Sequence, residues 1–132
     1  MNRTGWHRHA YYLIANSEIL GYAPTQRRVM ASFTRYLGSA LPSSSGKVVK
    51  SLEAGDREHV PKAVALLRLA RALNQGRRRA VNSIQVQVRE SQVLLRISAR
   101  RAAGADLELW AMKKERAYFR AVFGRDLDAE IV

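Results

Sequence analysis

His7 and His9 are the first side chains able to do metal or acid–base chemistry, and they stand two residues apart. On a helix that spacing turns them about 200° from each other, so they cannot share one ion as an i, i+4 pair would. His59 is followed by Val60, and no His-Asp dipeptide occurs in the chain, so an independent HD-type metal phosphohydrolase is only a lesser alternative. Nucleophilic catalysis also lacks its parts. There is no cysteine and no Gly-x-Ser-x-Gly elbow, and Ser43, Ser44 and Ser45 fall in a loop by composition. Glu53, Asp56 and Glu58 read as caps of the following helix or as partners of Arg57. Gly104 and Gly124 are isolated, so no phosphate loop or dinucleotide fingerprint is present. The chain is therefore expected to hold no catalytic residue, no metal ligand and no cofactor of its own. His7 and His9 are expected to order the start of a helix by hydrogen bonds.

Anion binding is the chemistry the residues do favour. The chain has 23 Lys+Arg against 11 Asp+Glu, a net charge of +12. Residues 1–80 carry 14 basic and 4 acidic groups (+10), and residues 81–132 carry 9 and 7 (+2). Such a field attracts polyanions, and most of the cations are arginine, whose planar fork suits phosphate. Arg27 and Arg28 precede Arg35, and Arg28 and Arg35 are two helical turns apart. They could line a groove with Lys47, Lys50, Arg68 and Arg71. Arg8 and the triplet Arg77, Arg78 and Arg79 complete the candidate set. The triplet has a second reading, because cations also favour a helix C-terminus. Tyr11, Tyr12, Tyr22 and Tyr36 could stack on bases, although their helical spacing favours core packing. Nucleic acid is thus a second candidate partner.

These side chains need a scaffold. At 132 residues and 47% hydrophobic composition, the chain can bury a core. No apolar run approaches the roughly 18 residues of a membrane helix. Arg3, His7, Arg8 and His9 break any leader-like stretch, so a cytoplasmic protein is expected. Without cysteine, disulfides are excluded. Apolar spacing predicts a helix over 7–20 closed by Gly21, and a second over 24–38 opened by Pro24 and closed by Gly38. Residues 47–59 are ambiguous, with one helical turn around Val48, Val49 and Leu52. Pro61 suits the first turn of a helix running to Asn74, with Gly76 as its cap. The period then changes to two. Ile84, Val86 and Val88, then Val93, Leu95 and Ile97, predict a hairpin. A helix over 106–122 and a strand over 127–131 follow. The fold class is α+β, with a helical region over 1–80 and a small antiparallel sheet with one packed helix over 81–132.

Several blocks together resemble one family. His7, His9, Ala10, Tyr12, Leu13, Ile14, Asn16, Gly21 and Tyr22 match a run His-x-His-Ser-x-Tyr-Leu-Ile-x-Asn-x-x-x-x-Gly-Phe. Arg35–Pro42, Leu66–Asn74, and Leu109-Trp110 with Tyr118-Phe119 and Phe123-Gly124 follow in the same order. The chain resembles the C-terminal region of the exopolyphosphatase / guanosine pentaphosphate phosphohydrolase (Ppx/GppA) family. The resemblance implies an HD-like helical architecture and a parent enzyme that hydrolyses terminal phosphoanhydride bonds with magnesium. It places that chemistry in N-terminal phosphatase domains whose glycine-rich loops are absent here. It further implies polyphosphate or a guanosine polyphosphate as ligand, and a homodimer. The chain departs from the family pattern at Leu37, Gly38, Arg71 and Asn74, where histidine, arginine and aspartates are usual. That departure removes the HD metal set.

Overall fold

The computed structural model describes residues 6–43, 46–100 and 104–132, so Ser44 and Ser45 of the expected loop lie outside the described residues. The order is α1 (Trp6–Asn16), α2 (Pro24–Arg35), α3 (Lys47–Lys50), α4 (Ala54–Ala72), β1 (Val81–Val88), β2 (Gln92–Ala99), α5 (Asp106–Lys113), α6 (Arg116–Phe123) and β3 (Asp126–Ile131). The α+β class holds. Two compact units are formed, 1–64 and 65–132, and the division falls inside α4. Among the described residues, no helix is long and apolar enough to cross a membrane.

In the first unit α1 and α2 pack against each other. α1 stops at Asn16, well before Gly21. Asn16 Nδ2 donates to the Tyr12 carbonyl (2.9 Å) and Ser17 Oγ to that of Ile14 (3.0 Å), so local side chains satisfy carbonyls of the last turn. Gly21, at φ +86°, serves a later turn. Pro24 opens α2 at its first position, and the Ala23 N–H donates to Gln26 Oε1 (2.8 Å). Ala31, Ser32, Tyr36, Val49, Leu52, Val60 and Val64 are buried. The Ser32 hydroxyl donates to the Val29 carbonyl (2.6 Å), which removes the cost of burying it.

α4 begins at Ala54, not at Pro61. The Arg57 N–H bonds the Glu53 carbonyl (2.9 Å), and Asp56 lies in the first turn, where a carboxylate suits the helix dipole. Pro61 consequently sits inside the helix.

The second unit holds a contiguous core. Val93, Leu95 and Ile97 of β2 and Leu127 and Ala129 of β3 meet Leu69, Ala72, Ala111, Met112 and Phe119. The sheet order is β1-β2-β3. β1 and β2 form the expected antiparallel hairpin around Glu90-Ser91. The expected all-antiparallel sheet is corrected at its last strand, because β3 runs parallel to β2 and the sheet is mixed. A parallel neighbour needs a crossover, and α5 and α6 supply it. The single expected helix over 106–122 is two helices, interrupted at Lys114–Glu115. Gly124 closes α6 in the left-handed conformation, φ +68°.

Gly76 does not play the capping role that its place in the sequence suggests. Its φ is not positive; Arg77 (φ 54°) and Arg79 (φ 51°) take that conformation instead. A Cβ at Gly76 would lie 3.5 Å from Leu107 and 3.7 Å from both Glu108 carboxylate oxygens, ordinary van der Waals contacts, so neither backbone conformation nor space requires glycine there.

Candidate functional site

The first family block is structural in its geometry. His7 Nδ1 lies 3.1 Å from the Thr34 carbonyl oxygen, which can only accept, so the ring donates from Nδ1. The ring lies on Gly38, where an added Cβ would fall 2.5 Å from Cδ2 and 2.6 Å from Nε2 of His7. The departure at Gly38 therefore accommodates His7. His9 is exposed on the opposite side of α1 from this contact, as a two-residue helical step requires. Tyr12 is 65% exposed. Among the described residues, no group of three or more His, Cys, Asp or Glu converges into a metal site.

The basic candidates of the first unit divide by what they touch. Arg8 is exposed on α1. Arg27 is partly buried, and its guanidinium donates to the Ser17 carbonyl just past α1, while its Nε is buried with no partner. Arg35 is half-buried at the end of α2. Arg28, Lys47 and Lys50 are exposed.

Arg28 and Arg57 reach the end of α3, whose last residue is Lys50. Arg28 Nη1 donates to the Ser51 carbonyl (3.4 Å). Arg57 donates from Nε to Leu52 (2.7 Å) and from Nη2 to Lys50 (2.8 Å). Both guanidiniums thus bond carbonyls at the C-terminal end of α3, where its dipole favours cations. Lys47 and Lys50 stand on the same short helix. Among the described residues, none of Arg28, Lys47, Lys50 and Arg57 has a carboxylate partner. Carbonyls hold the two guanidiniums in place, and among the described residues neither is tied up in an ion pair. A hollow of about 230 Å³ adjoins Arg57, with Pro42, Ser43, Val49 and Pro61 as its other walls. The sequence pairs Arg57 with the neighbouring acids. Only the tertiary contact to α3 shows its role, and no local signal could have found it.

The remaining candidates belong to the second unit. Arg68 forms a two-point pair with Glu115, 2.7 Å from Nε to Oε2 and 3.2 Å from Nη2 to Oε1, and its side chain is only 14% exposed. It is neutralised and withdrawn from solvent. Arg71 is exposed on the last turn of α4, and Arg77, Arg78 and Arg79 lie beyond it, with Arg77, Arg78 and Arg79 all exposed. The left-handed backbone at Arg77 and Arg79 costs each on the order of 1 kcal/mol.

The tyrosines also separate. Tyr36 is 5% exposed, and burial pushes its hydroxyl pKa up against the lowering effect of the Arg35 guanidinium. Tyr11 is half-buried, whereas Tyr12 and Tyr22 are exposed.

No curated protein matches the chain. A family model described as Ppx/GppA phosphatase, domain III, matches residues 1–116. That span includes the His7–Gly38 contact and the basic cluster at α3, and the chain belongs to the Ppx/GppA phosphatase family as its domain III.

Proposed function

We propose that this domain binds and guides a phosphate chain, polyphosphate or a guanosine polyphosphate, for an exopolyphosphatase-like enzyme of the cytoplasm. Bond cleavage and magnesium belong to N-terminal phosphatase domains. The domain also supports assembly of a homodimer. The single observation that carries the reading is the convergence of Arg28, Lys50 and Arg57 on the end of α3 without a carboxylate among them. Guanidiniums already bound by one edge to carbonyls lose little further freedom on meeting phosphate, and their remaining N–H donors can serve the ligand.

The test is equilibrium binding of a labelled polyphosphate to the 132-residue protein over a series of salt concentrations. Affinity should fall linearly on a log–log plot. Arg28→Gln with Lys50→Gln should weaken it and lower the slope by roughly 0.7–0.9 for each phosphate interaction removed, by analogy with nucleic acids. No binding at low salt, or an unchanged slope in the double variant, would reject the reading. Exposed Tyr12 and Tyr22 favour a second one, a module that stacks single-stranded RNA. Competition at matched salt decides: polyphosphate should displace RNA, and a Tyr12→Ala loss confined to RNA would favour the stacking module.

A further inference from the structure

β1 is an edge strand whose register irregularity lies at its start, between Val81 and Ser83, and whose ladder is regular from Ser83 to Val88. It pairs only with β2 among the described strands. Nine consecutive residues, Ala80–Val88, carry no charge, and the run has no proline. Edge strands ordinarily carry lysine, proline or a covering element to prevent pairing. The apolar face of β1 is also bare: Ile84 is 37%, Val86 60% and Val88 62% exposed. Val86 and Val88 border an apolar groove of about 300 Å³ whose other walls include Leu66, Phe119 and Phe123.

The hydrogen-bond phase of the open edge follows from the hairpin. The Arg89 N–H donates to the Gln92 carbonyl (2.7 Å), which makes 89 and 92 a bonded pair. Bonded and non-bonded pairs alternate along an antiparallel ladder. In the observed register Gln87↔Leu94 and Gln85↔Arg96 are then bonded pairs, and Ile84, Val86 and Val88 direct their N–H and C=O groups away from β2. The residues with free backbone groups are thus the same ones that form the bare apolar face.

We propose that this edge recognises a second copy of the chain, β1 pairing antiparallel with β1 about a two-fold axis at Val86. That register bonds Ile84 to Val88 of the second copy and Val86 to Val86, using all three outward residues of each strand. It sets apolar residues opposite one another on one face, and Gln85 opposite Gln87 on the other. Charge selects the orientation. Arg77, Arg78 and Arg79 precede the strand, whereas Arg89 and Glu90 follow it and sum to zero. Antiparallel pairing brings the basic end of each strand to the neutral end of the other, and parallel pairing would oppose the two triplets. The three-stranded sheet becomes one continuous sheet of twice the width. This names the surface for the homodimer of the proposed function and does not depend on phosphate binding.

Sedimentation of the 132-residue protein without any polyanion tests it. The wild type should pass from monomer to dimer as concentration rises. Val86→Pro removes an outward N–H and spares the β1–β2 ladder. It should stay monomeric with unchanged far-UV circular dichroism. Val86→Lys sets two ammonium groups face to face and should do the same. The chain has no cysteine, so Val86→Cys gives a unique thiol. A short bismaleimide should join two copies there but not at Asp128→Cys on β3. A wild type monomeric at every soluble concentration, or equal cross-linking at both thiols, overturns the proposal even if Val86→Pro unfolds.

Discussion

Arginine is used differently in the two units. In residues 6–64 the guanidiniums rest on backbone carbonyls: Arg27 on Ser17, Arg28 on Ser51, Arg57 on Lys50 and Leu52. In residues 65–132 they rest on carboxylates: Arg68 on Glu115, Arg96 on Glu130, Arg120 on Asp126. Arg125, which donates to the Glu90 carbonyl, and Arg89, which donates to Gln87 Oε1, are exceptions within the second unit. A carbonyl anchors the fork and leaves its full charge to the surroundings, whereas a carboxylate anchors and cancels it. Total charge therefore says little about where an anion will bind. The anchoring partner decides.

The contrast can be broken at its strongest point. Arg68→Ala leaves Glu115 without its cation in a site where both side chains are under one-fifth exposed. It should lower unfolding free energy by about 2–3 kcal/mol, read from denaturant midpoints at constant slope. Arg57→Gln removes carbonyl bonds at an exposed helix end and should cost about 1 kcal/mol in the same experiment. If the two losses were equal, the distinction between cancelling and non-cancelling anchors would have no energetic content.

The smallest effect concerns Tyr36. Burial raises its pKa, so the folded state holds the proton more tightly than the unfolded chain does. The sign is fixed: this contribution is intact below the unfolded tyrosine value of about 10 and is lost as pH rises through the folded value. Tyr36→Phe should flatten that alkaline loss. Arg35→Gln should move its end to still higher pH, since the guanidinium opposes the shift. Stability measured between about pH 9 and pH 11 would show both changes.

Periodicity makes most of the helices and the hairpin legible, because 3.6- and 2-residue patterns are set locally. It fails where a distant group decides. α1 ends early because Asn16 and Ser17 bond its carbonyls, although Gly21 offers a later stop. α4 starts before Pro61 because Glu53 and Asp56 support an earlier first turn. The direction of β3 depends on a crossover that no strand pattern encodes. At the site, the basic composition is visible in the chain and its partition is not. Arg68 looks like Arg28 until Glu115, 47 residues away, claims it.

The chain has two tryptophans, and they fall in different units. Trp6 has its ring centroid 3.4 Å from that of His7, and Trp110 lies 3.6 Å beneath the Lys114 ammonium. Each half of the molecule thus carries its own indole chromophore beside a distinct neighbour. Emission from single-tryptophan versions can follow the melting of either half alone, without any attached dye.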